Sequence, residues 1–255
     1  MLRKAAVGVG AGLGMMSGVY FGNAMANNFK HESDCCSDRF NVLAKVYDEK
    51  INPTEKSFGM MDMRRKLVNE HAVGRVLETC CGTGRNTEFY DMTKVTQLTL
   101  MDASEEMLVE ARKKLTPTQL EITSLVCARS LSEFPSNSFD SIVDTFGICS
   151  VTNPQEFLLE VKRVLKPGGE AVFLEHGRNE NGWLRFVINA WLDFRAPAHE
   201  AYWGCLWNRE IVKLVSESGF TIKSQTVHHY GTCTQLVVEK KSGIYKSSSG
   251  LDRSG

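Results

Sequence analysis

Downstream of residue 70 the chain alternates between two hydrophobic periods. Short runs centred on apolar residues occur at 75–78 (RVLE), 96–102 (TQLTLMD), 121–128 (EITSLVCA), 138–147 (SFDSIVDTFG) and 170–177 (EAVFLEHG). Each predicts a strand, and helical patterns lie between them. Ser104 caps SEEMLVEARKKL, with acids in the first turn, lysines in the last and Pro117 beyond its end. Asn153-Pro154-Gln155-Glu156 opens a second helix with Phe157, Leu158, Val161 and Leu165 inward, ending at Lys166-Pro167-Gly168-Gly169. NREIVKLVSESGF predicts a third, and residues 221–231 and 234–241 predict a closing hairpin. Strands alternating with helices define an α/β chain: a doubly wound, mainly parallel seven-stranded sheet with a C-terminal antiparallel hairpin. Two amphipathic stretches, 39–51 and 60–73, precede it, the first with Phe40, Leu43, Ala44 and Tyr47 in one stripe. The organisation expected is residues 1–30 as a separate N-terminal segment, 31–70 as a helical extension, 71–241 as the α/β domain and 242–255 as a disordered Ser/Gly/Lys-rich tail.

Residues 5–29 carry no charge and follow Arg3-Lys4. About 20 apolar residues suffice for a helix to cross a bilayer, so this segment predicts a membrane helix. Gly10, Gly14, Gly18 and Gly22 recur every fourth residue, which lines one helix face with small residues and predicts close helix–helix self-association. The alternative is a targeting peptide cleaved after Ala24-Met25-Ala26, leaving a soluble mature protein.

Charge narrows the partners. Lys plus Arg and Asp plus Glu are 30 each in 255 residues, so no basic field points to nucleic acid. The eight cysteines include no Cys-x-x-Cys, and two pairs are adjacent (Cys35-Cys36, Cys80-Cys81). This reads as free thiols in a reducing compartment, with no metal site in the spacing.

One motif carries chemistry. VLETCCGTGRN ends a strand in Gly82-Thr83-Gly84 before a helix, a geometry that brings backbone N–H groups close to a ligand. Asp102 ends the next strand, 18 residues past Gly84, where an acid can accept two ribose hydroxyls. Loop plus acid predicts an adenosine ligand.

VLETCCGTGRN, LTLMDASEEMLVEARKKL, SFDSIVDTFGICSV and EVKRVLKPGGEAVFLEHG resemble, in order and spacing, the Rossmann-like class I S-adenosylmethionine-dependent methyltransferases. Ser138-Phe139-Asp140 and Arg163 through Gly169 resemble the UbiE-like branch; Cys149-Ser150-Val151 and Glu175-His176 resemble its membrane-anchored Oms-type and methyltransferase-like-seven thiol methyltransferase members. The resemblance spans about residues 39 to 240 and implies S-adenosyl-L-methionine as cofactor. Glu78 would orient its ammonium group, and the loop Gly82, Thr83 and Gly84 would admit its methionine and adenosyl parts. Asp102 would take the ribose, Ala103 and Met107 would lie near the adenine, Ala128 with Cys127 would face the adenine edge, and Thr145 with the backbone to Gly147 would flank the methionine. Two residues depart from the family pattern. Cys80 replaces the first glycine of the motif, read as a tolerated substitution at the tight turn, with a nucleophilic or redox Cys80 as the alternative. Cys127 stands where relatives carry an Asp that accepts from the adenine amino group.

On the acceptor side, His176 at the end of the fifth strand is the expected catalytic or substrate-contacting residue, followed by Cys149, Tyr47 and His199. All four tryptophans, Trp183, Trp191, Trp203 and Trp207, fall in 179–207, where Phe186, Val187 and Trp191 share a helical face; this is either sheet-edge packing or a lid over a lipophilic acceptor. The expected function is methyl transfer to a small, lipophilic or thiol acceptor by a protein anchored in the mitochondrial inner membrane, with the endoplasmic reticulum membrane as the alternative location. A methyltransferase-fold scaffold without turnover is the alternative function. The missing third glycine and the Lys-Pro-Gly-Gly turn argue against a nicotinamide-dependent oxidoreductase.

Overall fold

The computed structural model describes residues 36–180 and 182–241. The expected membrane helix, its glycine face and the C-terminal tail lie outside the described residues. Among these, no helix is long and apolar enough to cross a membrane.

Two helices come first, α1 (Cys36–Ser57) and α2 (Met60–His71). The sheet strands are β1 (Gly74–Thr79), β2 (Val95–Asp102), β3 (Thr123–Cys127), β4 (Phe139–Thr145), β5 (Leu165–His176), β6 (Thr221–His228) and β7 (Cys233–Glu239). Between them lie α3 (Glu105–Lys114), α4 (Pro117–Ile122), α5 (Pro154–Val164), α6 (Arg185–Trp203) and α7 (Ile211–Glu217). The strand order is β3-β2-β1-β4-β5-β7-β6. β1 to β5 run parallel, and β7 lies antiparallel between β5 and β6. The chain winds outward from β1 to β3, then restarts at β4 on the other side, so the crevice above β1 and β4 is the switch point where this architecture takes ligands.

Successive residues of the central strands feed opposite faces, as the pleat requires. Val76, Val143 and Val172 join Leu67 and Val68 of α2 and Ala111 of α3 in one core. Leu77, Ile142 and Phe173 join Leu158 and Val161 of α5 and Ile211 of α7 in the other.

Three boundaries differ from expectation. Glu121 and Ile122 belong to α4 rather than to the third strand, because Thr116 and Gln119 form a reciprocal capping box with Pro117 at the first helical position. Pro117 therefore opens a helix as well as following one. Leu165 opens β5 instead of ending α5. The Lys-Pro-Gly-Gly run continues the strand because Gly168 N–H donates to Lys240 O at 2.8 Å and Lys240 N–H to Gly169 O at 3.2 Å. The first hairpin strand stops at His228, where His229 and Tyr230 turn the chain in the left-handed region (φ 51° and 57°).

Candidate functional site

Beyond β1 the chain turns through Cys80 (φ 49°), Gly82 (φ 54°) and Gly84 (φ 71°). The two glycines serve different ends. A Cβ on Gly82 would meet nothing within 4 Å, so the loop is open there, whereas one on Gly84 would press the Ala111 backbone at 3.0 Å and push α3 away. Cys80 holds a conformation that glycine adopts freely and that costs a side-chain-bearing residue about 1–2 kcal/mol. Cys80→Gly is accordingly expected to raise unfolding free energy by about 0.5–1 kcal/mol, the gain being trimmed by the greater chain entropy of glycine. Urea titration measures it, and a loss of stability would mean that the thiol's own contacts outweigh the strain. Cys81 is buried, and burial pushes its thiol well above the ordinary range, so it is not poised as a nucleophile.

Asp102 closes the loop. Gly82 N–H donates to its Oδ2 at 2.8 Å and Ser104 N–H to its Oδ1 at 2.9 Å. Burial raises its pKa, and those backbone donors oppose the rise. Each oxygen retains a lone pair for a further donor. Ala103 beside it is half-buried, and Met107, its N–H on the Ser104 side chain at 3.2 Å, is buried in α3. Ala128 N–H donates to Asp102 O at 3.0 Å, and Cys127 sits exposed as the β3 partner of Asp102.

At the far lip lies a buried polar cluster. Glu78 accepts from Tyr90 OH at 2.6 Å and from Asn86 Nδ2 at 2.9 Å, and burial pushes it up to about 7. Asn86 Nδ2 also donates to Thr145 Oγ1 at 3.0 Å. Arg64 Nη1 donates to Thr145 Oγ1 at 2.6 Å and to Asn86 Oδ1 at 3.1 Å, while Nη2 pairs with Glu55 at 2.7 Å. Arg64 Nε is buried without a partner. Glu55 also pairs with Arg85 at 2.7 Å, and Arg85 reaches Asp48 at 3.0 Å and Asn52 at 2.9 Å. Thr83 Oγ1 donates to Asp48 at 2.6 Å, and Lys114 pairs with the same carboxylate. Asp48, Asn52 and Glu55 are spaced to share one face of α1, and that face straps the helix over the glycine loop. Sequence reasoning placed Glu78, Gly82, Thr83, Gly84, Asp102 and Thr145 here but missed Asp48, Glu55, Arg64, Arg85, Asn86 and Tyr90. The available signal was the polar spacing on α1 and the Arg85-Asn86 pair directly after Gly84.

On the β5 side, Phe146 holds a left-handed φ of 64° and stacks on His176 with ring centroids 4.4 Å apart. The Arg64 guanidinium lies 5.0 Å from the centroid of the same Phe146 ring. The loop is pinned by two buried acids. Thr79 Oγ1 and Gly147 N–H donate to Asp144 at 2.6 and 2.9 Å, and the N–H groups of Ile148 and Cys149 each donate to Glu175 at 3.0 Å. Burial raises both carboxyl pKa values, most strongly for Glu175. Burial lowers His176 to about 3 and His199 to about 4. His199 Nδ1 sits 2.9 Å from Cys205 O, and its ring stacks on Trp207. Tyr47 packs edge-on against Trp203, and burial pushes its phenol up. His228 bonds Gln235, and His229 packs on Phe58. The aromatic segment divides: Trp191 packs on Trp207, whereas Trp183, Phe186 and Phe194 are 86%, 70% and 79% exposed. A groove of about 290 Å³ opens beside it, lined by Arg178, Trp183, Leu184, Ile188, Val227 and Tyr230.

These residues suit S-adenosylmethionine. An arginine donor is buried without a partner, burial raises an acid to about 7, Gly82 leaves open space, and Asp102 keeps two lone pairs. Comparison with known proteins agrees. Residues 77–173 match the family described as methyltransferase domain. The chain is 31% identical over 186 residues to the thiol S-methyltransferase TMT1B of Rattus norvegicus, covering 71% of this chain and 72% of that one. It is 32% identical over 220 residues to the mitochondrial methyltransferase OMS1 of Saccharomyces cerevisiae, covering 80% of this chain but only 46% of that one. It is 29% identical over 195 residues to the demethylmenaquinone methyltransferase of Listeria monocytogenes, covering 69% and 82%. In fold it matches an S-adenosylmethionine-dependent methyltransferase from Thermotoga maritima with a TM-score of 0.58 at 20% identity, over 81% of this chain and all of that one. Motif, site and relatives converge: the chain belongs to the S-adenosylmethionine-dependent methyltransferases, and S-adenosyl-L-methionine is its methyl donor.

Proposed function

We propose that this enzyme methylates a small lipophilic acceptor that supplies a reactive anion by its own partial ionisation, a thiol foremost, at the surface of a mitochondrial inner membrane. The observation that carries this reading is the weakness of His176 as a base, its pKa lowered to about 3 beside the Phe146 ring. A base so weak cannot take a proton from an alcohol at neutral pH, whereas a thiol or an acidic quinol supplies its own anion. His176 then serves as a contact and orienting group for the acceptor. The thiol and demethylmenaquinone relatives support acceptors of this kind. A lipid-side location is supported by the exposed aromatic face of α6 and by the contact of Arg39 with Glu200 O at 2.5 Å, which joins the start of α1, just after the uncharged segment, to the end of α6. In this reading residues 5–29 anchor the chain and the Gly10, Gly14, Gly18, Gly22 face pairs helices.

The bound cofactor supplies a methyl group on a positively charged sulfur. Asp102 holds the ribose hydroxyls, Ala103, Met107 and Ala128 border the adenine, Glu78 and Thr145 flank the methionine, and Arg64 Nε receives its carboxylate. The strap of α1 over Thr83 and Arg85 excludes water, so positioning supplies most of the rate. In a series of alkyl thiols of graded acidity, the pH–rate profile is expected to shift with the pKa of each acceptor. An inflection fixed at one pH for every acceptor would reveal an enzyme base and overturn the reading.

Glu78 gives a second expectation. Below about pH 7 the cofactor-free protein holds this carboxyl protonated. An ammonium ligand favours the anion, so binding expels the proton. S-adenosylhomocysteine affinity should therefore rise as pH increases toward 7 and level off above it. Calorimetry in buffers of different ionisation enthalpy should register the released proton, and Glu78→Gln should abolish it. No buffer dependence in the wild-type chain would place the ammonium elsewhere.

A further inference from the structure

Three residues far apart in sequence meet at the β5 side of the sheet. Cys149 follows β4, His176 ends β5 and Cys205 follows α6, and a donor atom from each lies within 4.8 Å of the others. Cys205 Sγ is 3.0 Å from Cys149 Sγ and 3.8 Å from His176 Nδ1. Two sulfurs and an imidazole nitrogen are the donor set of zinc, whose bonds of about 2.3 Å to sulfur and 2.0–2.1 Å to nitrogen need tetrahedral donors about 3.5–3.8 Å apart. The Cys205–His176 edge has that scale, the two sulfurs at 3.0 Å would have to part by about 0.7 Å to share an ion, and the third edge lies within 4.8 Å. We infer that Cys149, His176 and Cys205 form a binding site for a Zn²⁺-class ion.

The surroundings hold the three donors in place, as outer-shell contacts do at metal centres. Glu175 grips the Cys149 N–H at 3.0 Å, Phe146 stacks on His176, and His199 lies 2.9 Å from the Cys205 carbonyl. A disulfide would need the sulfurs at about 2.05 Å and would give His176 no part.

Three protein donors leave a tetrahedral ion one position, which a sulfur ligand suits. This extension rests on the thiol reading above. An acceptor thiol that has given its proton to solvent on its own, as that reading requires, fills the position as its thiolate. Its sulfur lone pair then forms the new S–CH₃ bond as the bond from methyl to the cofactor sulfonium breaks. The electron pair stays on the cofactor sulfur, giving S-adenosylhomocysteine, and the thioether leaves the ion, whose oxidation state is unchanged.

Metal analysis of the full chain, purified without chelator, is expected to find close to one zinc per chain, lost in Cys149→Ala and in Cys205→Ala and retained in Cys127→Ala. Calorimetry with S-adenosylhomocysteine identifies which variants remain folded. Cobalt(II) chloride added to metal-stripped wild-type protein should give the intense visible bands of tetrahedral thiolate coordination, a readout that needs no variant. Wild-type protein that takes up neither ion, or alkylation mapping that finds a Cys149–Cys205 disulfide, overturns the site. Zinc without thiol methylation would overturn the acceptor reading and leave the site standing; thiol methylation by protein that binds no metal would do the reverse.

Discussion

Asp102→Ala is expected to weaken S-adenosylhomocysteine binding by about two orders of magnitude or more. Two hydrogen bonds to a charged carboxylate are each worth about 1.5–3 kcal/mol, and 1.4 kcal/mol is tenfold in affinity. The loss has a second source, because the same carboxylate accepts Gly82 N–H at 2.8 Å and so shapes the loop. Asp102→Asn keeps one acceptor oxygen and should fall between. Cys80→Gly, which changes the same loop without touching a hydrogen bond to the cofactor, should leave the dissociation constant within about threefold, a free-energy change below 1 kcal/mol. Calorimetry on the three variants ranks them. Retained affinity in Asp102→Ala together with loss in Cys80→Gly would remove the assignment of the acid to the ribose.

Arg64→Met is expected to cost about 3 kcal/mol of stability, the lower end for breaking a buried ion pair. Arg64 and Glu55 are both nearly inaccessible and pair at 2.7 Å, and removing the cation also strips donors from Thr145 and Asn86. Arg85 continues to hold the other Glu55 oxygen at 2.7 Å, which moderates the effect. In a chain of this size such a loss lowers Tm by about 6–12 °C. A double-mutant cycle with Glu55→Gln should show coupling, since the two side chains touch. On the proposal that Arg64 Nε, buried without a partner, receives the cofactor carboxylate, the surviving folded protein should bind S-adenosylhomocysteine more weakly. Unchanged melting and unchanged affinity would contradict the whole cluster.

The sheet was legible because its evidence is local. The parallel strands show as runs centred on apolar residues, and Gly82, Gly84 and Asp102 declare a loop and an acid at their ends. Boundaries failed where two local signals compete. Pro117 reads as a stop after α3, yet with Thr116 and Gln119 it also starts α4. Lys166 to Gly169 reads as a turn, yet Lys240 from the distant β7 pairs with it and draws it into β5. The polar cluster under α1 was hidden for a further reason. Glu55, Arg64, Asn86 and Thr145 come from four separate elements, and only the packing of α1 and α2 over the sheet brings them together. The same holds for Cys149, His176 and Cys205, whose spacing in sequence resembles no ligand motif. The aromatic segment was legible as a unit but not in its orientation, since Trp191 turns inward to Trp207 while Phe186 and Phe194 face outward.

The central claim is turnover on an acceptor that ionises unaided, and the most direct measurement is mass spectrometry of the products formed from S-adenosylmethionine carrying a trideuterated methyl group and a lipophilic alkyl thiol. The account predicts a labelled methyl thioether in step with S-adenosylhomocysteine, and no labelled ether from the alcohol of the same chain length. Saturable binding of S-adenosylmethionine with no labelled product from thiol or quinol would contradict it and leave a cofactor-binding scaffold in its place.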